Sequence, residues 1–285
     1  MSVLLVTSSA HGGLFSEGEP GAVALDRALA SRGIDSRWVL WDDPTVDWAA
    51  ADLIAVRSTW DYQERLEEFL AWTRSVDPAR LLNGADVFAW NHHKSYLAEL
   101  DGLPVIPTVP AAGADLPAAV ASFGRAVVKP AVGAGGGGLV VVEGPDDARL
   151  ATLMGDQVVQ PLVESVRTEG EVSVFVIAGR PISQVAKLPA GGEVRVHEQF
   201  GGTSTLDEVA GEPAAVAVAA YDWLTRRFGR ALDYLRVDLL WWQGAWAVSE
   251  LEAIEPGLYL DVAPANAEPF ADLVVAALAR RHAVD

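Results

Sequence analysis

The sequence predicts two architectures in one chain, a parallel α/β domain at the N-terminus and an α+β half after it. Over residues 1–90, short apolar runs alternate with amphipathic stretches, the spacing of parallel strands covered by helices. Beyond residue 90, strand-like segments crowd together with few helices between them, which reads as mostly antiparallel pairing. The 285 residues are 51% apolar, enough for one large domain or two to three packed subdomains with real cores.

In chain order, residues 2–7 read as a buried strand. Residues 21–32 carry a helical pattern closed by Gly33, which suits a left-handed C-cap. Residues 36–41 and 53–56 read as strands and 64–75 as a helix. Ligands of parallel sheets sit beyond the carboxyl ends of the strands, which singles out two loops, 8–13 and 57–62. Asn91 is expected to cap a helix running through Lys94 to Leu100, and a Pro-rich segment and a short helix from Asp115 follow. Residues 126–129 and 139–142 are strand-like and flank a glycine run. Further strands are expected at 157–160, 171–177, 181–188 and 193–197, a long helix at 213–228, a hairpin of 234–242 with 246–252, and a closing helix at 268–282.

The net charge of −18, from 21 Lys and Arg against 39 Asp and Glu, argues against a nucleic-acid backbone as the main partner and against docking on anionic lipid. It leaves room for a small anion held by a few cations in a cleft. With no cysteine, disulfides, zinc–thiolate sites, iron–sulfur clusters and a cysteine nucleophile are excluded. The first residues read as a strand rather than a signal peptide, and no stretch approaches the roughly 20 apolar residues of a spanning helix. The expectation is a cytoplasmic protein.

Two constellations carry chemistry. Residues 133–138 hold five glycines in six positions between two apolar strands. Such a hairpin loop has bare amides that can close over phosphates. It is neither a Walker loop, since Lys129 precedes the glycines, nor a dinucleotide fingerprint, since a strand follows. In the hairpin of 234–252, Leu235, Val237, Leu239 and Trp241 share an apolar face, and Arg236 and Asp238 share the other. Val248, Glu250 and Glu252 share a face of the second strand. A two-residue turn at Gln243-Gly244 puts Asp238 opposite Ser249. A three-residue turn puts Asp238 opposite Glu250, Arg236 opposite Glu252 and Trp242 opposite Trp246, and Gly244 makes this longer turn plausible. Opposed like charges need a counter-ion, and an all-oxygen donor set without His or Cys points to Mg²⁺ completed by a phosphate.

In their order and spacing these pieces resemble the ATP-grasp superfamily of carboxylate–amine ligases over about residues 90–285, with a pre-ATP-grasp domain before it. The resemblance implies a substrate-side α/β domain at 1–90, a small subdomain with the glycine loop at 91–161 and a large subdomain with the metal site at 162–285, with ATP bound between the two subdomains. It also implies the following roles. Lys94 and Lys129 contact the ATP phosphates, Lys129 with a reach to the adenine, and Gly135, Gly136, Gly137 and Gly138 cover them. Gln160 and the backbone of Leu162 read the adenine, Glu171 holds the ribose, with nearby Glu164 and Glu169 open for that role, and Lys187 reaches a phosphate. Asp238, Glu250 and Glu252 hold Mg²⁺, and Arg236 stabilises the developing oxyanion. Many family members have Asn where this chain has Glu252.

The loop Arg57-Ser58-Thr59-Trp60-Asp61-Tyr62 mixes a cation, hydroxyls, aromatics and a carboxylate that suit an amino-acid zwitterion: Arg57 for the carboxylate, Asp61 for the ammonium, with Thr59 and Tyr62 beside them. It could equally be a helix start capped by Thr59 or Asp61. Arg195 is a second anion clamp, and Gly257 joins the substrate-side set. Together with Glu250-Leu251-Glu252-Ala253-Ile254-Glu255-Pro256, this loop resembles the ATP-grasp subgroup that closes O-ureido-D-serine into D-cycloserine. The expected function is ATP- and Mg²⁺-dependent C–N bond formation on a small amino-acid-like substrate through a phosphorylated intermediate, with intramolecular closure as one form. Alternatives are a small-molecule phosphotransferase and a non-catalytic nucleotide-binding module. Oligomeric state is left open, a homo-oligomer included.

Overall fold

The computed structural model describes residues 1–9, 19–209 and 211–282. Of the two loops singled out above, residues 10–13 of the first lie outside the described residues. Strands β1 (Ser2–Thr7), β2 (Asp35–Leu40) and β3 (Leu53–Ser58) form a parallel sheet in the order β2-β1-β3. Helix α1 (Val23–Ser31) supplies the crossover between β1 and β2. Helix α2 starts later than the pattern suggests (Leu66–Ser75), after a short 3-10 turn at Tyr62–Glu64.

The rest is antiparallel. Strands β4 (Val109–Ala112), β5 (Ala126–Pro130), β6 (Val140–Val142) and β7 (Asp156–Pro161) order as β4-β7-β5-β6 around their own small core of Leu116, Val120, Val128 and Val159. Strands β8 (Glu171–Ile177), β9 (Arg180–Leu188), β10 (Thr203–Asp207), β11 (Tyr234–Trp242) and β12 (Ala245–Glu252) order as β10-β9-β8-β11-β12. One continuous core joins Val56, Tyr62 and Phe69 of the first domain to Val172, Leu235 and Val248 of the large sheet, so those two units share their packing. Asn83, with φ 62°, ties them further. Its side-chain amide donates to the Tyr234 and Ala253 carbonyls, and its oxygen accepts from the Asp233 amide at 2.8 Å.

Three local expectations are corrected. Residues 193–197 are not a strand. They lie in a loop where the Glu193 carboxylate takes the Val194 and Arg195 amides, and a 3-10 turn at Glu198–Phe200 follows. Gly202 packs so tightly there that a Cβ would sit 2.0 Å from the Val196 carbonyl oxygen, and the edge strand forms only afterwards, as β10. Asn91 is not a cap. It ends helix α3 (Ala85–Asn91) and bridges to β12, donating to the Leu251 carbonyl and accepting from the Ala253 amide, each at 2.8 Å. The cap of the following 3-10 segment (Lys94–Glu99) is the His93 ring, which accepts from the Ser95 amide.

The third correction concerns the hairpin. Its turn has two residues, Gln243 and Gly244, both left-handed at φ 52° and 87°. Trp242 therefore faces Ala245, and Trp241 faces Trp246 with ring centres 5.6 Å apart. Asp238 still faces Glu250 and Arg236 still faces Glu252, because Ser249 is an unpaired bulge residue between Val248 and Glu250. The Ser249 hydroxyl donates to the Asp238 carbonyl at 3.0 Å. The bulge also turns Val248 away from Glu250 and into the core beside Leu239.

Candidate active site

The site lies between the two antiparallel sheets, under the glycine run. Gly135, Gly136 and Gly138 are left-handed at φ 59°, 70° and 73°, so the run is needed for its backbone shape and not only for mobility. Gly138 is the loop's exit, where a Cβ would meet Pro130 Cγ at 2.8 Å; Gly135, Gly136 and Gly137 line the cavity. The loop after β9 folds over it. Gln199 donates to the Gly135 carbonyl at 2.7 Å, and a Cβ on Gly136 would sit 3.0 Å from His197 Nδ1.

The cavity is lined by Lys94, Lys129, Gln160, Leu162, Glu171, Asp238, Glu250, Glu252, Arg195 and Tyr62 among others, so most of the expected site residues converge. Lys94 Nζ reaches the Gly133 carbonyl at 2.6 Å and Glu250 at 2.9 Å, tying the glycine loop to β12. Lys129 has no ion pair within 4 Å among the described residues, and burial pulls its ammonium below its ordinary value despite nearby Glu250. It is the unspent cation of the site. Gln160 is held by Thr108 at 2.9 Å. Glu171 and Lys187 face each other across β8 and β9 and pair directly.

Below the cavity floor, Arg236 holds Asp238 through two bonds of 2.9 Å and also pairs with Glu252. Ser173 donates to Asp238 at 2.5 Å, and Lys187 lies 3.7 Å from it. Burial pushes the Asp238 carboxyl up, but Arg236 and Lys187 outweigh it and hold it well below the usual carboxylate range. Burial likewise opposes Glu250, yet Lys94 and Lys129 pull it below its ordinary value. For Glu171 burial wins over Lys187, and the carboxyl is raised. Burial pushes Glu252 up to about 8 against the pull of Arg236.

Several expected roles do not survive. Arg57 is fully buried; its guanidinium takes Glu19 at 2.9 and 3.0 Å and the Pro256 carbonyl at 2.7 Å, and stacks 4.6 Å from the Phe270 ring. Its remaining nitrogen, Nη1, has no partner but is sealed from the cavity and from solvent, so it offers no accessible face to a substrate carboxylate. Thr59 is fully buried, and Asp61 accepts from the Trp41 indole at 2.9 Å. Neither caps the 3-10 turn: Asp61 sits at the cap position without a side-chain bond. Gly257 packs near Trp60 and does not line the cavity. Of the Leu162 backbone, the amide is committed to the Arg125 carbonyl at 3.1 Å, so only its carbonyl could read an adenine. Arg236 and Lys187 lie behind the carboxylates and do not line the cavity. Lys187 is held above its ordinary value because Asp238 and Glu171 outweigh the burial that pulls it down.

Among the described residues, no three His, Asp or Glu side chains converge as a ready-made metal cage. Asp238, Glu250 and Glu252 are instead each engaged by a cation. An all-carboxylate set open toward a phosphate-covering loop still fits Mg²⁺, which is held by one or two carboxylates together with substrate phosphates rather than by a protein cage.

A glycine hairpin closing a cleft between two antiparallel sheets, with lysines on one wall and carboxylates on the other, is the layout of an ATP-grasp enzyme. Comparison with known proteins agrees. Residues 98–228 match the ATP-grasp domain of prokaryotic glutathione synthetase, and residues 3–83 match the N-terminal domain of D-cycloserine synthetase DcsG. The cycloserine biosynthesis protein DcsG of Streptomyces lavendulae is 34% identical over 269 residues, covering 86% of this chain and 89% of its own length. The crystal structure of D-cycloserine synthetase DcsG superposes with a TM-score of 0.83 at 29% identity, over 98% of this chain and all of that one. D-alanine–D-alanine ligase from Bacillus anthracis in complex with ATP shares the fold, with a TM-score of 0.64 at 14% identity over the full length of both chains. The chain belongs to the DcsG family of ATP-grasp ligases, which makes it an ATP-dependent, ADP-forming carbon–nitrogen ligase. No helix among the described residues is long and apolar enough to cross a membrane.

Two features of the cavity escaped the sequence reading as site residues. His197, with an unpartnered Nδ1 and a ring pushed down to about 4 mainly by burial, then by Lys187, was hidden in what read as a strand. Glu255 stood in the sequence as the last acid of the run Glu250 to Pro256, spaced beyond the hairpin; that spacing was the available signal.

Proposed function

We propose that the chain activates the carboxylate of a small amino-acid-like substrate as an acyl phosphate, with ATP and Mg²⁺, and closes it onto a nitrogen of the same molecule, a reading compatible with the name of its relative, D-cycloserine synthetase. The observation that carries the ATP half is Lys129: a half-buried ammonium with no ion-pair partner among the described residues, on the wall facing Asp238, Glu250 and Glu252 and under the glycine loop. The likeness to DcsG extends through the N-terminal domain, which supports the same substrate class.

In this reading Lys94 and Lys129 hold the triphosphate, and the amides of Gly135, Gly136 and Gly137 cover it. Asp238, Glu250 and Glu252 would hold Mg²⁺, which when bound neutralises charge on the transferred phosphoryl group. Arg236 keeps Asp238 and Glu252 oriented from behind, and Lys187 does the same for Glu171. The Lys94–Glu250 pair opens as the nucleotide enters, exchanging one anion for another. The His197 and Gln199 loop excludes water from the acyl phosphate, which hydrolysis would otherwise waste. The substrate oxygen attacks the γ-phosphorus, ADP leaves, and the nitrogen then displaces inorganic phosphate as the C–N bond forms.

The test is ADP release across D- and L-amino acids including O-ureido-D-serine, with product mass measured. A product with the mass of D-cycloserine, which is O-ureido-D-serine less one water and its carbamoyl group (released as CO2 and NH3), formed with one ADP and one phosphate, is the expected result. Phosphate retained on the product overturns it.

A further inference from the structure

Glu255 is 9% exposed and lines the cavity. The other carboxylates of the site are all engaged: Asp238 and Glu252 by Arg236, Glu250 by Lys94, Glu171 by Lys187. Glu255 has no ion pair with any Lys, Arg or His among the described residues; its only bond is to its own backbone amide. A carboxylate kept nine-tenths from water without a cation is costly for the fold. The loop that carries it is nevertheless rigidly held: the neighbouring Pro256 carbonyl takes Arg57, and the Leu258 amide donates to Glu19 at 2.7 Å. Arg57 and Glu19, both spent internally, thus anchor the segment that presents Glu255. From the first domain Tyr62 lines the same cavity, and Glu255 is the charged group that most raises its hydroxyl, after burial itself.

We propose that Glu255 is the acceptor for the ammonium group of the amino-acid substrate, with Tyr62 on the neighbouring wall. This rests on the amino-acid reading above and adds the residue that recognises the amine. It places the ammonium on the C-terminal loop rather than on Asp61, whose carboxylate is turned to Trp41. The substrate carboxylate then lies toward Lys129, and the ammonium supplies the counter-ion that the chain itself withholds. Burial pushes Glu255 up to about 7, against Lys94, so an arriving cation also fixes it in the charged form.

The experiment compares O-ureido-D-serine with 3-(ureidooxy)propanoate, which lacks only the ammonium, in wild type, Glu255→Gln and Glu255→Asp. Wild type is expected to prefer the ammonium compound by roughly 100-fold or more in kcat/KM, the size of a buried charge pair. Glu255→Gln should lose that preference, with the KM for ATP unchanged within about two-fold, and Glu255→Asp should recover part of it. Calorimetric binding of both compounds to wild type and Glu255→Gln needs no turnover and separates the outcomes. Binding that discriminates the ammonium only when Glu255 is present, without C–N product, sinks the ligation reading and leaves Glu255 standing. Product formation with the preference intact in Glu255→Gln sinks the Glu255 assignment and leaves ligation standing. Failure of both compounds to bind wild type overturns both.

Discussion

Arg57 and Glu255 are both charged, both nearly or fully buried, and both near the carboxyl end of a strand, Arg57 within β3 and Glu255 beyond β12. They differ in one respect. Arg57 meets Glu19, a backbone carbonyl and an aromatic face supplied by its own chain. Glu255 meets a cavity. A charge at a strand's carboxyl end belongs to the fold when the chain provides its counter-ion, and to a ligand when it does not. The same division separates the first domain's loop of residues 57–62 from the segment of residues 250–257.

The contrast breaks most readily at Arg57. Arg57→Ala leaves Glu19 buried and uncompensated, so a loss of about 3–5 kcal/mol in unfolding free energy is expected. Urea denaturation measures it; a small loss accompanied by a raised substrate KM would return Arg57 to the binding site. Lys129 is the opposite case. Lys129→Ala should lower kcat/KM for ATP by about 100- to 1,000-fold, as for other preorganised electrostatic groups. Its melting temperature should hold or rise slightly, since an unpaired, half-buried ammonium is removed.

Glu255 sharpens the comparison through pH. Its folded value of about 7 lies above its ordinary 4.5, so the folded chain keeps a proton that the unfolded chain has lost between those values. Stability without ligand therefore falls as pH rises through that window, and Glu255→Gln flattens the fall. Denaturation midpoints between about pH 5 and 8 check this, and an unchanged slope would mean that the side chain finds a cation in solution. The smallest effect is expected at Gln199. Gln199→Ala removes one exposed bond to the Gly135 carbonyl and should raise the KM for ATP a few-fold, with a stability loss of no more than about 1 kcal/mol. Steady-state kinetics decide it.

Much of the nucleotide half was legible in the sequence because its signals are local. A glycine run between two apolar strands suits a loop that closes over phosphates, and Lys129 near the end of β5 is placed by strand period alone. The alternation of Arg236 and Asp238 against Leu235, Val237 and Leu239 puts the two polar groups on one face whatever the partner strand does. Here the two polar facing pairs, though not Trp242 with Trp246, were right for a reason that was not: a two-residue turn and a bulge at Ser249 add up, beyond the bulge, to the same offset as a three-residue turn. A bulge depends on what packs against the strand, and Val248 enters the core only because the first domain's residues fill that side.

The substrate half was less legible because partners distant in sequence decide it. Arg57 meets a residue 38 positions away and a carbonyl 199 positions away, while Glu255 meets neither. The sequence by itself determined the fold class, the glycine loop and the order of lysines and acids, which follow from periodicity and spacing and survive without knowing the packing. The ligase chemistry came from the resemblance of that order to ATP-grasp enzymes. Only the tertiary structure decided which of its charges face inward to one another and which face a ligand. A charge is spent or free according to the distance to its counter-ion, and that distance is set by how the sheets pack.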